Sequence, residues 1–140
     1  MSDSPQESFD LAGTYVHLED GGEALPVEVT ETFWQQLMAG EARSDDVARV
    51  AAGNGWLVTS NRFERDTPTW EIHPEGDELL LMLSGALDVV FDAEGGARTF
   101  ALDAGKACRV PRGTWHRLVV REPGVMLGVT RGKGTQHRPA

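Results

Sequence analysis

The chain has 140 residues, of which 40% are hydrophobic and 25% charged, the profile of one globular domain with enough chain to bury a core without staples. Thirteen Lys and Arg against 22 Asp and Glu leave a net charge of −9, which argues against nucleic acid and anionic membrane as partners, since both need a surplus of cations. A single cysteine, Cys108, excludes an internal disulfide and a cysteine-based zinc site.

The opening MSDSPQESFD lacks the basic-then-apolar profile of a signal peptide, so the protein is expected in the cytoplasm. The longest wholly apolar run, Leu79 to Leu83, falls far short of a bilayer span. Residues through Asp10 read as a loosely docked arm, and Leu11 to Val29 as one or two short strands. Thr30 is the expected N-cap of a short helix carrying Phe33 and Leu37 one turn apart, with Gly40 past its end. A second helix is expected to start at Ser44-Asp45-Asp46 and to stop before Gly53.

After Gly55 the pattern changes to short β-type runs: Trp56 to Ser60, Thr69 to His73, Leu79 to Leu83, Leu87 to Phe91, Arg98 to Leu102, Ala107 to Val110, Trp115 to Val120 and Val125 to Thr130. Turn signals separate them, among them Pro74-Glu75-Gly76, Gly95-Gly96 and Pro111-Arg112-Gly113. This spacing predicts an all-β antiparallel sandwich or small barrel with a short N-terminal helical segment. Residues 1–54 form an extension in that reading and residues 55–140 the barrel, with the basic tail after Arg131 lying on the surface.

Two segments gather the metal-capable side chains. In a strand, Glu71 and His73 share one face while Trp70 and Ile72 take the other. Glu78 opens the next strand after the Pro74–Gly76 turn, and His116 follows the Pro111-x-Gly113 turn. These segments resemble the two motifs of the cupin superfamily. Gly105, Pro111, Gly113 and His116 match the second motif, which fails only at its final Asn, where Val120 stands. In the first, Glu78 precedes Gly85 at the right distance and His73 sits where the second histidine belongs. Glu71 stands in place of the first histidine, and the leading glycine is absent.

The resemblance implies a double-stranded β-helix, or jelly-roll, and carries His73, Glu78 and His116 over as metal ligands. Glu71, an oxygen donor on the same face, completes a set of two imidazoles and two carboxylates suited to one divalent first-row ion: Fe, Mn, Ni, Co or Zn. A register using Asp77 in place of Glu78 conflicts with the spacing to Gly85. Two inward carboxylates in a dry barrel without a cation would repel and be forced to take up a proton. Structural alternatives remain: His73 as a hydrogen-bonded strand histidine, and Glu71 paired with Arg62 or Arg117.

Cys108 reads as a small buried apolar side chain, Trp70 and Trp115 as turned away from the metal, and His17 and His137 as outside the motifs and without an assigned partner. The run Leu79–Leu83 is apolar on both faces and calls for a second cover, either the N-terminal segment or another subunit. The resemblance to small cupins implies a homodimer. It also implies a metal-dependent enzyme acting on a small oxygen-rich substrate, as dioxygenase, isomerase, epimerase, decarboxylase or lyase, with Glu71 as catalytic general base. The competing reading is a non-catalytic sensor or regulatory module that uses its metal or ligand to hold a shape and acts through a protein partner.

Overall fold

The computed structural model describes residues 7–140. Most of the expected N-terminal arm, residues 1–6, lies outside the described residues, and residues 7–10 are exposed. In chain order the elements are β1 (Thr14–Leu18), β2 (Ala24–Glu28), α1 (Phe33–Ala39), α2 (Asp45–Ala51), β3 (Trp56–Phe63), β4 (Thr69–Ile72), β5 (Glu78–Met82), β6 (Ala86–Ala93), β7 (Gly96–Asp103), β8 (Ala107–Val110), β9 (His116–Glu122), β10 (Gly124–Thr130) and β11 (Gln136–Pro139).

Two antiparallel sheets face each other. One runs β2-β1-β3-β10-β5-β8 and the other β11-β4-β9-β6-β7. From β3 onward the chain changes sheet at every step except the β6–β7 hairpin, which is the winding of a jelly-roll. Alternation fills the space between the sheets: Leu87, Val89 and Phe91 of β6 meet Leu80 and Met82 of β5 and Met126 of β10 in one apolar cluster. Burying one such Leu or Met contributes about 1.5–3 kcal/mol. Gly85, at φ +74, sits where a Cβ would come within 2.5 Å of the Pro123 carbonyl, so the turn between β5 and β6 admits no side chain.

The N-terminal strands extend the first sheet, because β1 pairs with β3 through Val16↔Val58 and its neighbours. Tyr15, Val27 and Leu57 form a second apolar cluster with Phe33 of α1 and Val47 of α2. Helix α2 starts as expected, with Ser44 Oγ accepting the Val47 N–H at 3.2 Å, and its acidic first turn and basic last turn suit the helix dipole. Helix α1 is capped by Thr32, not Thr30, and makes no side-chain cap bond. Its C-terminus closes on Gly40 at φ 68.

The tail lies largely on the surface, as expected, and also forms a strand that the sequence did not announce: Gln136–Pro139 adds β11 to β4, with His137 opposite Glu71 and Arg138 opposite Trp70. Of the two covers considered for Leu79–Leu83, the N-terminal segment is excluded, because it joins the far side of β3. Leu79 and Leu83 therefore remain 40% and 57% exposed. No helix among the described residues is long and apolar enough to cross a membrane.

Candidate metal centre

Three backbone features converge on one point between the sheets. Glu71 of β4 lies directly opposite His116 of β9 in the ladder. The turn before β9 swings back at Gly113, φ +75, whose N–H donates to the His73 carbonyl at 3.0 Å, tying the two motif segments together. Glu78 opens β5 with its carboxylate buried. One ligand atom from each of Glu71, His73, Glu78 and His116 lies within 4.8 Å of all the others.

Glu78 Oε1 is 3.0 Å from His116 Nε2 and Glu78 Oε2 is 3.2 Å from His73 Nε2. Glu71 Oε2 is 3.5 Å from His73 Nε2 and 3.9 Å from His116 Nε2. The same side chains also bond to groups outside the cluster. His116 donates Nδ1–H to the Thr114 carbonyl at 3.0 Å. Thr135 donates its hydroxyl to the Gly132 carbonyl and so accepts Nδ1–H from His73 at 2.7 Å. Glu78 accepts the Thr130 hydroxyl at 2.5 Å, and Glu71 Oε1 accepts Nε2–H from His137 at 3.0 Å.

These bonds fix which nitrogen faces inward. With both Nδ1 atoms carrying protons, each neutral imidazole aims its Nε2 lone pair at the cluster, the orientation a metal ligand needs. His73 Nε2 is buried and makes no hydrogen bond of acceptable geometry, a state that costs free energy unless something occupies the point it faces. Two carboxylates and two neutral imidazoles balance a divalent ion. The residues present therefore fit one, and the donor set belongs to first-row metals.

Without an ion the cluster balances itself with protons. Burial pushes the His73 pKa down, but the adjacent Glu71 and Glu78 carboxylates outweigh it and hold the imidazole up at about 10. His116 is likewise raised, Glu78 overcoming the penalty of burial. Burial alone would raise both carboxyls, yet the imidazoles beside them hold Glu71 and Glu78 below the ordinary carboxylate range. The expectation that a carboxylate takes up the proton is thus reversed. The imidazoles take it, since they are the stronger bases and each lies within 4 Å of a carboxylate.

Asp77 points elsewhere, accepting the Arg112 N–H at 2.8 Å and pairing with Arg109, which removes the alternative register. Neither Arg62 nor Arg117 reaches Glu71. Arg62 pairs with Glu64, and Arg117 stacks over Trp70 while bonding the Thr67 carbonyl. Cys108 is half-buried against the barrel core, where burial raises its thiol pKa. His17 is buried away from the cluster between the Asn54 carbonyl and Arg49. His137, without an assigned partner in the sequence, is a direct partner of Glu71. The only hint was the alternation of Thr135 and His137 against Gln136 and Arg138, too short to separate from a loop.

The cluster forms part of the wall of a cavity of about 660 Å³, which extends to Trp34, Leu37 and Met38 of α1 and past Leu118 and Met126. Among solved structures, the fold is similar to Bacillus subtilis oxalate decarboxylase, in a study of its Mn(II) centres, at 24% identity and TM-score 0.51, covering 60% of this chain and 23% of that one. It is also similar to an oxalate oxidase at 22% identity and TM-score 0.51, covering 64% of this chain and 50% of that one. The chain thus spans a quarter to a half of the length of these relatives, and the likeness is one of fold. No curated protein sequence matches the chain. Residues 64–130 match the family described as Cupin domain, and this matching stretch supplies Glu71, His73, Glu78 and His116.

Proposed function

We propose that the protein is a metal-dependent enzyme acting on a small oxygen-rich molecule, with one divalent first-row ion held by Glu71, His73, Glu78 and His116. The observation that carries this reading is the pair of inward Nε2 atoms beside two carboxylates at a cavity wall, one of them without a hydrogen bond. Such an ion, when bound, supplies Lewis acidity toward a hydroxyl, carbonyl or carboxylate.

The two carboxylates differ in access. Glu78 is enclosed and held by the Thr130 hydroxyl, whereas the Glu71 side chain is 34% exposed. Glu71 is therefore the group positioned to take a proton from a substrate, with His137 behind it. Leu118, Met126 and the α1 side chains give part of the cavity an apolar wall for a carbon skeleton, while Asn61, Arg62 and Lys133 line it with polar groups.

A screen of hydroxy and keto acids, with and without O2, on metal-loaded protein tests the proposal. Turnover of at least one compound, reduced about 100-fold or more in Glu71→Gln with metal retained, is the expected result. Metal binding with no turnover across the panel points instead to a sensor acting through a protein partner. The cytoplasmic, homodimeric protein expected from the sequence belongs to the same proposal, with the exposed Leu79 and Leu83 as the subunit contact. Sedimentation of the wild type as a monomer removes the dimer.

A further inference from the structure

Strand β11 reaches the cluster from the edge of its sheet, and its two faces do different work. On the outer face, the Arg138 guanidinium lies 5.5 Å from the Trp70 ring centre and 4.6 Å from that of Trp115, and it pairs with Asp92. Stacking between two indoles together with an ion pair fixes the strand against the barrel. Alternation sends His137 to the opposite face, and Thr135, in the turn just before the strand, lies on the cluster side with it.

There each meets a different cluster residue on the atom that faces away from the centre. Thr135 Oγ1 holds His73 Nδ1–H at 2.7 Å, and His137 Nε2–H holds Glu71 Oε1 at 3.0 Å. Glu78 accepts the Thr130 hydroxyl on the oxygen that also faces His73, and His116 donates its Nδ1–H to the Thr114 carbonyl. Both residues supplied by β4 and its end thus depend on the carboxyl-terminal strand. The pairing also explains how a carboxylate serves at position 71: it has a donor directly across the ladder.

We propose that Thr135 and His137 are positioning residues of the metal centre. Thr135 holds Nδ1–H of His73 and so keeps Nε2 facing the centre, and His137 sets the orientation of the Glu71 carboxylate. The inference rests on the metal-centre reading of the cluster, and its test has one arm that needs no metal.

In metal-free protein, where both ring nitrogens of His73 carry protons, 1H–15N NMR should detect a hydrogen-bonded, slowly exchanging Nδ1 proton in the wild type and in Thr135→Ser, whereas in Thr135→Val that proton should exchange rapidly with solvent. The same signal in Thr135→Val overturns the role of Thr135. In a Co(II) titration followed by visible absorption, His137→Ala should bind about 10–100-fold more weakly than wild type, with an altered spectrum. His137→Gln, which keeps an N–H donor of similar reach, should stay within about threefold and keep the wild-type spectrum. Melting temperatures of the His137 variants should match the wild type, because that side chain is partly exposed. Equal Co(II) affinity in wild type and His137→Ala, or equal losses in His137→Ala and His137→Gln, overturns the role of His137. Wild-type protein that takes up no Co(II) contradicts the metal reading and overturns the role of His137 with it, while the NMR arm still decides that of Thr135.

Discussion

Replacing Glu78 with glutamine removes the most buried charge of the cluster while keeping its volume. The residue is 7% exposed, and in metal-free protein its two oxygens lie against His116 and His73 at 3.0 and 3.2 Å. Breaking a buried ion pair by removing one partner costs about 3–5 kcal/mol. Glu71 still faces His73 at 3.5 Å, so the lower end, about 3 kcal/mol, is expected, equivalent to roughly 10 °C in melting temperature for a domain of this size. The loss depends on pH. His73 is raised from 6.5 to about 10, so its stabilisation is complete below pH 6.5 and disappears as pH rises through 10. Glu78 is depressed from 4.5, so its stabilisation is complete above pH 4.5 and disappears as pH falls from there toward the depressed value. The gap between wild type and Glu78→Gln should be widest between these limits and close toward both extremes. Thermal melts by circular dichroism in EDTA across that range measure it. A gap that is constant with pH, or that widens toward alkali, refutes the assignment of charges in the cluster.

Because both imidazoles must lose a proton to bind an ion, metal uptake near neutral pH should release one to two protons and tighten about 10–100-fold per pH unit; calorimetry in buffers of different ionisation enthalpy counts them, and no release contradicts the raised imidazole pKa values. Glu71→His restores the family's histidine at that position and should bind a divalent ion within about tenfold of wild type or more tightly, as measured by competitive titration; complete loss shows that a carboxylate is required there. Leu87→Ala, at a side chain with no exposure, should cost about 2–5 kcal/mol in urea unfolding, and a smaller change contradicts a close-packed space between the sheets.

The cluster was legible because its geometry follows from local rules. A period of two puts Glu71 and His73 on one face, and turns containing Gly76 and Gly113 bring Glu78 and His116 to strand starts. The strands from β3 to β10 were legible for the same reason: alternation and turn residues recur along them. What was not legible depends on contacts between distant segments. Strand β11 carries Gln, His, Arg and Pro, with no β-branched or apolar pattern, and is held by Arg138 between Trp70 and Trp115. His137 therefore looked unattached although it touches Glu71. The cap of α1 moved from Thr30 to Thr32 because both threonines satisfy the local preference, and the packing of Phe33 under Tyr15 fixes where the helix begins. The protonation of the cluster depends on the two imidazoles between the carboxylates, whose proximity only the folded chain creates.

Elemental analysis of protein purified without chelator, after supplementation with first-row divalent metals, is the most direct test. One ion per chain in the wild type, falling to near zero when Glu78 and His116 are both replaced by alanine, is the predicted outcome. A wild-type barrel that stays metal-free at micromolar supply contradicts it.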